Sequence, residues 1–511
     1  FTMKSEIAKG LMLNLNINAY NNKYNAPNGE PQSIDGMIGY AVRQGPIYAG
    51  QKSDGSFGYQ DNYSPEAWLA SESFVQNVSR NISASGQLTW NTPVDGLSFI
   101  GKAGVNYWTK YDKAYRADTY FDDSKTVGPA TLNVWTANNT YTTFEALATY
   151  EKQIKNHTFK LLAGTSVEQS NNKGLEGYRN TFPNNYLYEL GSGDKSTATN
   201  DSSLEEYALL SFFGRINYAW KDRYLLEANL RYDGSSRFAK GNRWGFFPSA
   251  SLGWNITREQ FMMPIADVVS NLKLRASYGL LGNQAGAALY TFAATMDLND
   301  KLGNYIFSDG RHIFTKAPAV VNPNTTWEKV ESKNIGLDFG FFGNSLTGSF
   351  DVFQRDTKDM LGPTVDFPDF FGADAPKTNN ARMRNRGWEL VLSYRGKIGK
   401  DIDYSIGGSL SDATAEVTEY EGTRTNPKDN WYKGKKAGEI WGYRADGLIQ
   451  TQAEADEYNN TYDLSFISGK PWTPGDVKYR DLNGDKKINN GLNTLDDMGD
   501  MTVIGLSLIH I

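Results

Sequence analysis

A run of oxygen-bearing side chains near the end of the chain has the clearest potential for chemistry. Positions 1, 3, 5 and 9 of a pattern like the calcium loop of an EF-hand are filled by Asp481, Asn483, Asp485 and Asn489. The glycine usual at position 6 is replaced by Lys486, and Leu492 stands at position 12, where a carboxylate normally completes the site. The segment therefore predicts either a calcium loop or an external turn whose side chains hydrogen-bond to their own backbone.

Tryptophans between the regular segments suggest a second kind of contact. Four of them lie where loops are expected: Trp68, Trp135, Trp431 and Trp472. An indole ring can pack against the apolar face of a sugar, and it can equally form the core of a folded loop. The sequence leaves both interpretations open.

Other chemistries are poorly supported by the composition. The chain has no Cys and only three His (His157, His312 and His510), which argues against thiol catalysis, a His-based triad or a multi-His metal site. A net charge of -6 argues against nucleic-acid binding, because neutralising phosphates requires a basic surface. We therefore expect no enzyme activity and no cofactor other than the calcium considered above.

The remaining sequence is dominated by strands with a period of two. Leu272, Leu274 and Ala276, for example, alternate with Lys273 and Arg275. The same alternation elsewhere places a set of polar side chains on the face opposite the apolar one: Asn14, Asn16, Lys160, Glu227, Arg231, Lys273, Arg275, Asp338 and Asp351. We expect this face to contact a wet channel or a domain inside it.

Strand length and loop length together indicate the architecture. Roughly fourteen long strands are separated alternately by short turns, as at 221–222 and 343–345, and by long connections, as at 21–79, 111–140, 170–204, 282–326 and 356–382. No apolar run approaches the 18 residues of a membrane helix, but strands that face lipid on one side average out as polar. The predicted fold class is all-β, an antiparallel transmembrane β-barrel with short periplasmic turns and long external loops.

An ordered series of segments resembles the SusC-type (SusC/RagA) TonB-dependent transporters of Bacteroidetes outer membranes. The segments are 231–238 (RYDGSSRF), 245–254 (GFFPSASLGW), 274–284 (LRASYGLLGNQ), 322–328 (NPNTTWE), 334–339 (NIGLDF), 357–360 (TKDM), 383–389 (MRNRGWE) and 475–485 (GDVKYRDLNGD). Their common order makes the resemblance specific between 231 and 505, whereas 1–201 shares only the general character of barrel strands.

The resemblance implies a barrel of about 22 strands closed by an internal plug. Residues 1–505 would then form part of that barrel, with the plug, the TonB box and the last strands outside this sequence. Residues 506–511 depart from the family pattern and are expected to be a non-native tail.

The implied function is active import of a glycan or peptide across the bacterial outer membrane. The implied partners are a SusD-like surface lipoprotein, the TonB–ExbB–ExbD energy system and outer-membrane lipid. Two alternatives remain open from the residues themselves: a passive outer-membrane porin, and a secreted all-β carbohydrate-binding or adhesive protein.

Overall fold

A computed structural model describes residues 1–29, 34–296, 318–362, 370, 375–422 and 425–506, together with four two-residue strands between 298 and 315. His312 and residues 507–511, which include His510, lie outside the described residues, so the expectation of a non-native tail stays a prediction. The helices of the described residues are α1 (Ile34–Arg43), α2 (Pro65–Ala70), α3 (Gln452–Thr461) and four 3-10 helices (Leu190–Ser192, Lys195–Thr197, Ile256–Arg258 and Gln260–Ile265). None of these helices is long and apolar enough to cross a membrane.

Strands make up most of the described chain. In chain order they are β1 (Thr2–Ala8), β2 (Leu11–Pro27), β3 (Phe74–Asn91), β4 (Leu97–Arg116), β5 (Thr119–Asp122), β6 (Lys125–Val127), β7 (Thr131–Ile154), β8 (His157–Asn180), β9 (Thr199–Trp220), β10 (Tyr224–Ser235), β11 (Trp244–Asn255), β12 (Val269–Asn283), β13 (Leu298–Asn299), β14 (Ile306–Phe307), β15 (Gly310–Arg311), β16 (Phe314–Thr315), β17 (Glu328–Phe341), β18 (Leu346–Leu361), β19 (Asn379–Ile398), β20 (Ile402–Tyr420), β21 (Ile440–Tyr443), β22 (Ala445–Leu448), β23 (Val477–Tyr479) and β24 (Met501–Gly505).

Fourteen of these strands form one sheet. Their order is β1-β2-β3-β4-β7-β8-β9-β10-β11-β12-β17-β18-β19-β20, and the registers that define its pairs are antiparallel. This confirms the predicted fold class and the predicted number of strands. The longest strands, β7 and β8, have 24 residues each, whereas about 9–11 tilted residues suffice to cross a bilayer.

The strands extend further into the long connections than the alternation pattern predicts. The connection predicted at 21–79 is reduced to 28–73, because β2 and β3 stay paired as far as Pro27 and Phe74. Side chains such as Asn21, Asn22 and Lys23 are polar on both faces of this extension, so the backbone pairing continues where the hydrophobic alternation has ended. The short turns match the predictions closely, as at 342–345 between Phe341 and Leu346.

The chain divides into two compact units, each with hydrophobic clusters in its connections. Unit 1 comprises Phe1–Tyr150 and Leu162–Phe212, and unit 2 comprises Glu151–Leu161 and Phe213–Ile511. In unit 1 Trp68 is fully buried, with its ring 5.9 Å from that of Phe121. In unit 2 Trp472 is buried in a cluster with Ile449 and Tyr458. These two tryptophans therefore form loop cores, which rules out the sugar-stacking interpretation for them.

The apolar face of the sheet in unit 2 is exposed. The side chains of Leu252, Ile335 and Leu410 have 60%, 63% and 63% of their surface accessible. A continuous exposed apolar surface of this kind requires a partner, and lipid is the partner that a membrane wall provides.

Candidate functional site

The polar face of the sheet in unit 2 carries a charged cluster centred on Arg275. The backbone register places Arg275 of β12 opposite Gly336 of β17, and Gly336 opposite Asp351 of β18. Arg275 Nε lies 3.1 Å from Asp338 Oδ1, while Nη1 and Nη2 each lie 2.6 Å from one carboxylate oxygen of Asp351. The guanidinium is therefore held by two carboxylates on two different strands, one of them bidentate.

Gly336 makes this arrangement possible. A Cβ atom at Gly336 would lie 2.5 Å from Arg275 Cζ and 2.6 Å from Asp351 Oδ1. The arginine thus crosses β17 through the space that the missing side chain leaves. Glycine within a strand often marks such a close approach, and this is the one sequence signal that could have identified the position.

Beside the cluster lies a groove of about 360 Å³ on the same face. Its polar lining residues are Thr158, Lys160, Asn217, Glu227, Ser251, Lys273, Arg275, Ser277 and Asn334. Asn229 donates a hydrogen bond of 2.9 Å to Glu227, and Lys160 pairs with Glu151 at 2.8 Å. Within the described residues the ammonium of Lys273 forms no ion pair, so the groove contains one cation available to a bound molecule.

The structure brings together most of the polar side chains predicted to share this face. Lys160, Glu227, Lys273 and Arg275 line the groove, and Asp338 and Asp351 fix Arg275. Arg231 lies on β10 and pairs with Asp233, and it does not line the groove. Asn14 and Asn16 belong to unit 1, where Asn16 accepts a hydrogen bond of 3.0 Å from Thr2. Sequence reasoning missed the two groove amides, Asn217 and Asn334, because isolated asparagines in strands carry no distinctive pattern.

The groove has the chemistry of a binding surface. Carboxylate and amide oxygens accept hydrogen bonds, while amide, ammonium and guanidinium groups donate them, so the lining can pair with hydroxyl, carbonyl and carboxylate groups alike. Because Arg275 is anchored by one carboxylate on the adjacent strand β17 and another on β18 beyond it, its position is fixed before any molecule binds.

The predicted calcium loop is folded as a set of side-chain to backbone turns. Asp481 Oδ1 accepts from the backbone N–H of Gly484 at 2.7 Å, and Oδ2 accepts from that of Lys486 at 3.0 Å. Asn483 and Asp485 accept in the same way from residues two positions further on. Asn489 Oδ1 accepts from the backbone N–H of Gly491 at 2.6 Å.

The conformation of this loop is set by the backbone at Lys486 and by the buried carboxylate of Asp500. Lys486 has a φ of 64°, so it occupies the left-handed conformation that glycine adopts at the sixth position of an EF-hand loop. Asp500 is fully buried and accepts from the backbone of Leu482 and Asn489, which ties the two ends of the loop together. No group of three or more His, Cys, Asp or Glu arranged for a metal occurs in the described residues. Calcium binding by Asp481, Asn483, Asp485 and Asn489 therefore stays a prediction.

An ion pair fixes the hairpin of β5 and β6 in the external connections of unit 1. Lys52 Nζ lies 2.7 Å from Asp122 Oδ2. This hydrogen bond, followed by that from Ser124, lowers the pKa of Asp122 to about 2. The carboxylate is therefore ionised at any pH in which the hairpin is ordinarily studied.

Comparison with known proteins places the chain among outer-membrane receptors. A family model described as "TonB dependent receptor-like, beta-barrel" matches residues 14–508. "TonB-dependent receptor SusC" of Bacteroides thetaiotaomicron is 32% identical over 284 residues, covering 55% of this chain and 28% of that protein. "TonB-dependent receptor P3" of Formosa agariphila is 28% identical over 384 residues, covering 73% of this chain and 37% of that protein. The chain thus spans well under half the length of these relatives.

Solved structures share the fold. The "RagAB peptide importer in the 'closed-closed' state" superposes with a TM-score of 0.75 at 21% identity, covering 95% of this chain and 53% of that one. The "RagAB peptide transporter" superposes with a TM-score of 0.73 at 22% identity, covering 88% of this chain and 50% of that one. At this level of identity the similarity establishes the arrangement of strands and not the molecule transported.

Proposed function

This chain belongs to the TonB dependent receptor-like β-barrel family, and from that premise we propose that it forms part of the wall of an importer energised through TonB. The chain is a protein of the outer membrane, as its family and relatives are. The observation that carries the proposal is the contrast between the two faces of the sheet in unit 2. One face exposes apolar residues such as Ile335, and the other carries the polar groove and the anchored Arg275.

The groove supports a polar substrate. Sugars and peptide backbones both present donors and acceptors, and the amides and charged groups of the groove can pair with either. We propose a glycan or oligosaccharide as the substrate class, as the resemblance to SusC-type transporters implies, and a peptide as the second candidate, since the RagAB importer is a peptide importer. The free ammonium of Lys273 suits a substrate that also carries an acidic group.

A SusD-like surface lipoprotein is the proposed external partner. The external connections contain packed cores, such as the cluster around Trp68 in unit 1, and these cores would give such a partner a stable surface. Val42 and Ile47 of the same unit are 81% and 84% exposed, which suits a protein interface better than water. The TonB–ExbB–ExbD system is the proposed source of energy.

The test uses the complete gene in its own host. Cells that carry the gene, or lack it, are supplied with labelled oligosaccharides or labelled peptides, with and without a functional TonB. Uptake that needs both the gene and TonB would support active import. Uptake that needs the gene but continues without TonB would identify a passive porin and refute the proposal.

A pair of variants links this test to the groove. Lys273→Gln is expected to reduce uptake at equal surface abundance, because it removes the unpaired cation. Lys397→Gln is the matched control, since Lys397 is 69% exposed and pairs with Asp403 beside a short turn. Equal uptake by the two variants would show that the groove does not contact the substrate.

A further inference from the structure

A second groove, of about 500 Å³, lies on the apolar face of unit 2. One row of the sheet forms its floor, in which Leu252, Ala276, Ile335 and Val352 are paired in register across β11, β12, β17 and β18. Ala276 has only a methyl group between two larger neighbours, so the row is indented at that point. The groove lies along this indentation of the exposed apolar face.

The next row of the sheet changes from apolar to cationic. From β11 to β19 it runs through Ala250, Tyr278, Lys333, Gln354 and Arg386, each paired in register with the next. All five contribute to the same groove. A half-exposed tyrosine beside two basic side chains is the arrangement expected where hydrocarbon gives way to headgroups.

Two carboxylates lie near the basic end of the groove, and each is ion-paired. Glu331 pairs with both Lys333, at 3.0 Å, and Lys358. Asp356 pairs with Arg384. Both carboxylates are thus already occupied by other cations.

Arg386 is the exception. Its Nε donates to the neutral amide oxygen of Gln354 at 2.9 Å, and it forms no ion pair within the described residues. The two terminal nitrogens of the guanidinium are left to meet an anion. Arginine presents these donors as a planar fork that matches phosphate geometry.

We propose that this groove binds an anionic phospholipid, with one acyl chain along Ala276 and the phosphate of the headgroup on Arg386. Lys333, which already pairs with Glu331, lies in the same row. The apolar floor alone would accept any lipid chain. Selection of an anionic lipid follows from the guanidinium of Arg386, which forms no ion pair within the described residues and lies in the row next to the floor. The site would hold one lipid at a fixed place on the barrel wall, independently of the molecule transported.

The test measures lipid binding to the complete transporter, purified in detergent, by native mass spectrometry. Phosphatidylglycerol and phosphatidylcholine with identical acyl chains are added together, and the ratio of the two bound lipids is read within each variant. Because each basic group near a membrane surface contributes about a fivefold preference for anionic lipid, Arg386→Gln is expected to lower that ratio about fivefold. Adding Lys333→Gln is expected to lower it by less than that again, because Glu331 already pairs with the ammonium of Lys333.

Two control variants separate the headgroup from the chain. Arg355→Gln makes the same change on β18, one residue from the Gln354 that is paired with Arg386 but on the opposite face of the sheet, and is expected to leave the ratio unchanged. Ala276→Phe fills the floor and is expected to reduce binding of both lipids together. Equal binding of the two lipids by the unmodified protein, or equal ratios for Arg386→Gln and Arg355→Gln, would overturn the proposal. The assay measures bound lipid and not transport, so a failure of the lipid proposal is distinguishable from a failure of the import proposal.

Discussion

Replacing Gly336 by alanine is expected to break the ion pair between Arg275 and Asp351. The new methyl carbon would lie 2.5 Å from Arg275 Cζ, whereas carbon atoms in contact normally stay about 3.5–4.0 Å apart. The guanidinium would have to move by about 1 Å or more. Such a shift disrupts both of the 2.6 Å hydrogen bonds to Asp351.

The cost can be estimated from these two bonds. A hydrogen bond to a charged group contributes about 1.5–3 kcal/mol net. Water replaces part of that, since the Arg275 side chain is 32% exposed, so we expect the loss of the pair to cost about 1–3 kcal/mol in total. Alanine restricts the unfolded chain and offsets about 0.4–1 kcal/mol. The midpoints of the two ranges are about 2 and about 0.7 kcal/mol, so the free energy of unfolding of Gly336→Ala should fall by about 1.3 kcal/mol.

Urea unfolding of the complete transporter in detergent micelles measures this change. Gly407→Ala is the matched control on the same face, because a Cβ there would have its nearest neighbour at 3.4 Å, an ordinary contact. In an Asp351→Asn background the pair is already weakened, so Gly336→Ala should cost less than it does alone. If Gly336→Ala unfolds at the same urea concentration as the unmodified protein, the reasoning from the crossing arginine is wrong.

Three further predictions concern the faces and the connections. Leu337→Arg should lower stability by about 2–4 kcal/mol if it lies at mid-bilayer depth. Ser349→Arg on the polar face should cost far less. Equal costs in an assembly assay would contradict the face assignment. Because the pKa of Asp122 is about 2 in the folded chain, below the 3.8 of an ordinary Asp, its contribution to stability is complete above about pH 4 and is lost as the pH falls toward 2. Hydrogen exchange in the β5–β6 hairpin should follow that window, and Asp122→Asn should remove the dependence; protection lost already at pH 5 would refute it. Millimolar calcium should slow trypsin cleavage after Lys486, and Asp485→Asn should abolish the effect; cleavage at the same rate with and without calcium would exclude the predicted site.

The strand alternation predicted both faces of the sheet, because a period of two is fixed by backbone geometry and needs no tertiary information. It also predicted that Lys273 and Arg275 lie on the polar face. It could not predict that Arg275 reaches Asp351 across an intervening strand, since this contact depends on the pairing register and on Gly336 between them.

Loop structure was less predictable for a different reason. Trp68 and Trp472 become buried through contacts with residues far away in the sequence, and no local pattern distinguishes a buried loop tryptophan from an exposed one. The strand extensions beyond the expected ends were also missed, because a ribbon with water on both sides has no hydrophobic alternation to reveal it. The basic end of the second groove, on the apolar face, could not be predicted either. Arg386 and Lys333 lie on different strands, and only the pairing register shows that they share a row.

Accessibility of positions along β17 tests the central claim most directly. Single cysteines are introduced at 334, 335, 337, 338 and 339 in a cysteine-free form of the complete transporter, spin-labelled and reconstituted in lipid vesicles. Position 336 is left as glycine, because a side chain there would displace Arg275. Collisions with oxygen, which concentrates in hydrocarbon, and with a water-soluble nickel complex are then measured for each position. Oxygen should dominate at Ile335, Leu337 and Phe339, and nickel at Asn334 and Asp338. The same preference at all five positions, or the opposite alternation, would contradict a wall with lipid on one side and an aqueous channel on the other.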